Sequence, residues 1–229
     1  PPRSTPKPSS AASDVYKRQD KSVAKFLYLD HMTLSTWLRA DQVKTGTLIS
    51  KMTDEPRGKG YYVDLDGGHI RINLVARWLD DSIRVRSARP IVADRWYHLA
   101  VTYDGSRVAK GITLYLNGKP VALTVDLDFI NQTYNADERL RLGAGGGPAG
   151  HFSGLIDDVR IYDRALSTGE VTELYLLEKP VDLNQGLVAH WTFDETNRTI
   201  AHDSSGNDNN GTLVGFNSNT TQWLSLIHI

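Results

Sequence analysis

Ile112-Thr113-Leu114-Tyr115-Leu116-Asn117-Gly118 decides the fold. Its aliphatic residues recur at every second position, which places Ile112, Leu114 and Leu116 on one face of an extended chain, as a strand lying on a core demands. Asn117-Gly118 is the strongest hairpin signal in the sequence, since both central positions of the favoured tight turn need positive φ; it predicts a return through Val121-Ala122-Leu123. Working outward, Trp96 to Tyr103 is the strand that pairs with Ile112 to Leu116. His69 to Val75 follows Asp66-Gly67-Gly68, a second turn whose glycines permit a hairpin with Tyr61 to Leu65. Thr47 to Lys51 reads as another strand. In Thr33 to Leu38, residues Leu34, Thr36 and Leu38 share one face, and Thr33, Ser35 and Trp37 the other. Helical periodicity is confined to Thr168 to Leu177, where Ser167 and Glu170 form a capping box ahead of Val171, Leu174 and Leu177, and Pro180 stops the helix.

Short alternating runs punctuated by turn residues predict an all-β, two-sheet antiparallel sandwich with one short helix near the C-terminal end of the domain. The charges nearly cancel, with 26 Lys and Arg against 27 Asp and Glu, and they are scattered. This argues against nucleic acid as a partner. No apolar run approaches a bilayer span, so no membrane insertion is expected. With no cysteine, disulfides, thiolate metal sites and cysteine nucleophiles are excluded from the chain.

Both ends read as translated sequencing adapter. Asp14-Val15-Tyr16-Lys17-Arg18-Gln19 can be encoded by GATGTGTATAAGAGACAG, and the reverse complement of that string encodes Leu-Ser-Leu-Ile-His-Ile, which is Leu224 to Ile229. Residues 1–19 and 224–229 are therefore expected to be adapter-derived, as in a metagenomic fragment, and neither natural terminus is in view.

Four motifs in order carry a resemblance: Leu34-Ser35-Thr36-Trp37-Leu38-Arg39, Trp96-Tyr97-His98-Leu99-Ala100-Val101-Thr102-Tyr103-Asp104, Leu114-Tyr115-Leu116-Asn117-Gly118, and Gly154-Leu155-Ile156-Asp157-Asp158-Val159-Arg160-Ile161-Tyr162-Asp163-Arg164-Ala165-Leu166-Ser167. They resemble the laminin-G-like, concanavalin-A-like lectin/glucanase jelly rolls, over about Thr33 to Leu177. Ile72 to Ile83 is most similar to domains of large multidomain bacterial proteins of planctomycete type. Gly186-Leu187-Val188-Ala189-His190-Trp191-Thr192-Phe193-Asp194 with Asp203-Ser204-Ser205-Gly206-Asn207 resembles the opening strand and loop of such a domain, whereas Asp20 to Asp30 carries no such motif. The expected organisation is a sandwich over residues 20–183 lacking its own first strand, followed over 184–223 by the start of a truncated second repeat, with Leu187 to Phe193 docked on the first.

The fold also houses glycoside hydrolases, whose chemistry needs two carboxylates flanking one bond. The string Glu-x-Asp-x-x-Glu is absent, and Asp157-Asp158, as strand neighbours, are expected to point to opposite faces. His98 is expected to be a satisfied, half-buried strand histidine without a carboxylate or serine partner. No catalytic residue is expected, and no enzyme.

The resemblance implies calcium as the cofactor to consider. Pentraxin-like relatives carry an acidic and amide cluster after the Leu-Gly of this strand, where the present chain has Gly143-Ala144-Gly145-Gly146-Gly147, so no metal ligand is assigned. Asp203 to Asn210 is rich in oxygen but lacks the terminal Glu of an EF-hand, and a plain turn is expected. For a ligand, Trp78 with Asp80 and Asp81 combines an aromatic face with hydroxyl acceptors, and Tyr61 and Tyr62 add to it; the competing reading is that Trp78 caps the core. The resemblance implies a non-catalytic binding or adhesion module of a secreted or cell-surface protein, its partners carbohydrate or glycoprotein and the neighbouring domains of its parent chain. The alternatives are a structural spacer in a tandem array and, behind it, a glycoside hydrolase.

Overall fold

The computed structural model describes residues 21–145, 150–179, 186–192 and 200–212. Both adapter-like ends, Gly146 and Gly147, and Phe193 lie outside the described residues. The chain divides into two compact units, Pro1–Lys179 and Pro180–Ile229.

The first unit is an antiparallel sandwich. One sheet has five strands, β11 (Gly154–Tyr162), β1 (Met32–Ala40), β6 (Trp96–Tyr103), β7 (Ile112–Leu116) and β8 (Lys119–Val121), in that spatial order. The other has six, in the order β10 (Arg141–Leu142), β2 (Gly46–Met52), β3 (Gly60–Asp66), β4 (His69–Arg77), β5 (Asp81–Ser87) and β9 (Leu123–Phe129). Both glycine-bearing turns form as expected. Asn117 and Gly118 have φ of 51° and 74°, and Gly67 and Gly68 have 57° and 84°, the positive values that close two-residue hairpins with the native twist.

Period-two alternation sorts each strand between core and outside. Leu34 and Leu38 of β1, Leu99 and Val101 of β6, and Leu114 of β7 meet Tyr61, Val63 and Leu65 of β3 and Ile70, Ile72 and Leu74 of β4 in one shared interior. Each such aliphatic side chain contributes about 1.5–3 kcal/mol on leaving water. Residues 21–30 form no strand, yet they close part of this interior: Phe26 is buried against Tyr61, the Tyr61 hydroxyl donates to the Ala24 carbonyl, and the Tyr103 hydroxyl donates to Tyr28. An irregular segment thus covers core that an opening strand was expected to leave bare.

The outer face of the five-stranded sheet is covered by helix α1 (Thr168–Glu178). The capping box is complete, with Ser167 Oγ accepting from Glu170 N and Glu170 Oε2 from Ser167 N. Val171 is fully buried against Ala100, Tyr115 and Leu166. No helix among the described residues is long and apolar enough to cross a membrane.

One expectation is corrected in β11. Asp158 has φ 46° and sits at a bulge, where the register against β1 shifts between Ser35 and Trp37, so Asp157 and Asp158 are not regular alternating neighbours.

In the second unit, β12 (Ile200–Ala201) pairs with β13 (Gly211–Thr212), and Trp191 bridges to Asp203. Asp203 organises the loop, its carboxylate accepting from the backbone N–H groups of His190, Ser205 and Asn209 and from the Ser205 hydroxyl. These donors hold the Asp203 carboxyl well below the usual carboxylate range.

Candidate functional site

With α1 on one side of the sandwich, the outer face of the six-stranded sheet is where side chains of several strands line up without a helix over them. The register sets neighbouring rows across it. Ser50, Tyr62, Asn73, Arg84 and Leu127 form one row; Thr47, Asp64, Arg71, Arg86 and Thr124 form the next. On β3 the alternation that sends Tyr61 inward sends Tyr62 and Asp64 outward.

Above these rows, Met52, Tyr62 and Val75 make a second apolar cluster against which Trp78 packs. Trp78 lies just beyond the end of β4 and is part-exposed. Two guanidiniums gather on its indole, with Arg84 4.0 Å and Arg57 5.1 Å from the ring centroid. Arg57 arrives from the β2–β3 loop with φ 64°, a conformation that non-glycine residues seldom adopt. That loop is pinned by Thr53 N donating to Lys59 O and Gly58 N to Glu55 O. Burial, and after it Asp64, pushes the Tyr62 phenol well up, while Arg71, Arg84 and Arg57 pull it back.

The residues expected from sequence separate here. Trp78 and Asp80 stand at the edge of this face, Asp80 exposed with a surface ion pair to Arg77 at 3.1 Å; Tyr62, though on the outward side of β3, is 5% exposed beneath Trp78 and supports the site rather than lining it. Tyr61 must be removed from the set, because it is 2% exposed within the shared core, edge-on to Tyr134. Asp81 is removed as well. Its carboxylate is buried and accepts from the backbone N–H groups of Asn131 at 2.6 Å and Gln132 at 3.4 Å, holding the chain as it leaves β9. Arg57, Arg84 and Asn73 belong to the face and were not anticipated. The available signal was the alternation Ile83-Arg84-Val85-Arg86, which sends both arginines outward once Ile83 and Val85 are given to the core.

His98 is also corrected. It is fully buried and has both partners it was expected to lack: Ser35 Oγ lies 3.0 Å and Glu178 Oε2 3.6 Å from Nε2. Both approach the same ring nitrogen, so this is no nucleophile–base–orienter relay, which needs opposite nitrogens. Glu178 further accepts from Trp37 Nε1 at 2.9 Å and meets Arg160, fastening the last turn of α1 to the sheet. Burial first and Arg160 second lower the His98 pKa to about 4.

Among the described residues, the loop after Gly143 offers no side-chain ligand for calcium. After Gly143, the carbonyls of Ala144 and Gly145 accept from Ser50 and Thr47 hydroxyls, and no group of three acidic or histidine ligands occurs among the described residues. Asp203 is ringed by hydrogen-bond donors, which would oppose a cation.

Comparison with known proteins places this geometry. A sequence profile described as the concanavalin A-like lectin/glucanases superfamily, in its laminin G type, matches residues 18–172. The chain is 25% identical over 162 residues to adhesion G-protein coupled receptor V1 of Danio rerio, covering 68% of this chain and 2% of that protein. Among solved structures, the binding domain of Paraclostridial Mosquitocidal Protein 1 is similar at a TM-score of 0.52 and 20% identity, over 69% of this chain and 39% of that one. The CBM40 of Ruminococcus gnavus IT-sialidase, bound to alpha2,3 sialyllactose, gives 0.50 and 17%, over 64% and 83%. At such identities these structural likenesses concern the fold alone. The profile match spans most of the chain, which thus belongs to the concanavalin A-like lectin/glucanases superfamily.

Proposed function

We propose that the chain is a non-catalytic carbohydrate-binding module of a larger secreted or cell-surface protein, and that its ligand surface is the outer face of the six-stranded sheet around Trp78. One observation carries this reading. Arg57 and Arg84 are gathered on Trp78, beside the exposed Asp80 and on a face that α1 leaves open. Planar donors, an aromatic and an acceptor gathered at the edge of one sheet, from β5 and the β2–β3 and β4–β5 connections, are what a ring bearing several hydroxyls requires. Several carboxylates of this face are paired with arginines, Asp64 and Asp66 with Arg71, Asp126 with Arg86 and Asp80 with Arg77, an arrangement that supports binding over glycosidic cleavage. The two similar structures, a toxin binding domain and a carbohydrate-binding module, support binding as the role.

The test is glycan binding by the full chain against Trp78→Ala, measured by affinity electrophoresis through polysaccharide gels. Retardation that Trp78→Ala abolishes is expected. Retardation by no polysaccharide, from chain shown to be folded, would reject the reading in favour of a structural spacer.

A further inference from the structure

We propose that this site recognises an acidic saccharide, one whose carboxylate or sulfate oxygens accept from Arg57 and Arg84; the inference rests on the carbohydrate reading above and narrows it. It begins from where each arginine of the face sends its charge. Arg71 meets Asp64 at 2.5 Å and Asp66 at 2.6 Å, Arg77 meets Asp80, Arg86 meets Asp126, and Arg141 meets Asp54 and Glu138. Arg57 and Arg84 have no ion pair among the described residues, and both converge on Trp78. Two cations are thus held together where every neighbouring arginine is neutralised.

Their geometry suits an oxyanion. At 4.0 Å from the indole centroid, Arg84 is held by the ring's π face, an attraction that leaves the in-plane N–H edge free to donate. Its Nε is buried and has no hydrogen-bond partner among the described residues. Because Nε is closed to solvent, an incoming acceptor would be met by the terminal guanidinium nitrogens instead. Arg57 is presented by a loop whose φ of 64° stores about 1–3 kcal/mol of strain, and such strain concentrates where a side chain must be aimed. The indole surface that a neutral sugar would stack on is in part taken by Arg84, so recognition falls to the guanidinium edges. Neutral hydroxyls repay the desolvation of two guanidiniums poorly; a carboxylate or sulfate, accepting charge-assisted and bidentate bonds, repays it well.

The experiment measures binding of the full chain to polygalacturonate, dextran sulfate and unmodified dextran, with polyglutamate as an anionic polymer that is not a saccharide. The expected result is retention by one of the two acidic polysaccharides, the better one naming the group. Binding should fall about ten-fold or more in Arg84→Gln and in Arg57→Gln, the scale of one lost charge-assisted hydrogen bond. It should also weaken as salt rises from about 0.05 M to about 0.5 M. Arg84→Lys keeps the charge without the fork and should fall between wild type and Arg84→Gln, which keeps the test decisive if the glutamine variant does not fold. Dextran bound as tightly as the acidic polymers, with the arginine variants unchanged, overturns this inference and leaves the carbohydrate reading standing. Polyglutamate bound as well as the acidic polysaccharides also overturns it, showing attraction to charge alone. Silence towards every saccharide overturns the carbohydrate reading itself.

Discussion

Acidification should loosen the sandwich through one buried ring. His98 faces Ser35 and Trp37 of β1, Tyr175 and Glu178 of α1, and Arg160 and Asp158 of β11, and its pKa is lowered to about 4 from an ordinary 6.5, first by burial and then by Arg160. The folded ring resists protonation, so between about pH 4 and pH 6.5 the unfolded chain binds more protons than the native one. Stability therefore rises with pH through that window: the contribution is complete above it and is lost as pH falls through it. Linkage between those two values gives a loss of about 2 kcal/mol on going from about pH 7 to about pH 5. Urea unfolding followed by circular dichroism at several pH values would measure this, and His98→Gln, which keeps a polar group towards Ser35, should flatten the slope. Equal slopes in wild type and His98→Gln, or stability that rose on acidification, would refute the assignment of the loss to this ring.

Further outcomes follow from the same contacts. Glu178→Ala removes the acceptor of a buried indole N–H and one partner of the partly exposed Arg160; a loss of about 2–4 kcal/mol is expected in urea unfolding, with Glu178→Gln much milder. Asp81→Ala should cost about 1–3 kcal/mol by stranding Asn131 N and Gln132 N, and it should leave glycan affinity unchanged in protein that remains folded; a selective loss of affinity would return Asp81 to the site. Gly118→Ala places a Cβ 2.9 Å from the Tyr175 ring at φ 74°, so a lower melting temperature is expected, and an unchanged one would show that turn and helix are not in register.

Much of the sandwich was legible because its strands alternate and its hairpins carry Asn117-Gly118 and Gly67-Gly68, whose backbone demands are local. Two strands were not recognised in full. Leu123–Phe129 carries Asp126 and Asp128, residues that strands disfavour, and Asp81–Ser87 alternates with arginines that read as a polar loop. The site was half legible for a related reason. Tyr61 and Tyr62 are adjacent, so one had to face the core, and nothing local says which. Asp81 reads like any exposed acid until the chain leaving β9 is brought back to it. Arg57 and Arg84 converge only through the pairing of β3 with β4 and β4 with β5. His98 acquired its carboxylate from the end of α1, a distance along the sequence that no spacing rule spans.

The helix that caps the five-stranded sheet makes the two sides of this domain unequal in what they can become. Trp37, His98 and Glu178 interlock there, so a change at one strands the others, and that side can drift little without unfolding. The opposite side carries exposed side chains such as Arg57, Asp80 and Arg86, whose replacement costs the core little. New specificities would therefore accumulate on one side only, and copies strung along a parent chain could diversify in what they hold while keeping an identical frame.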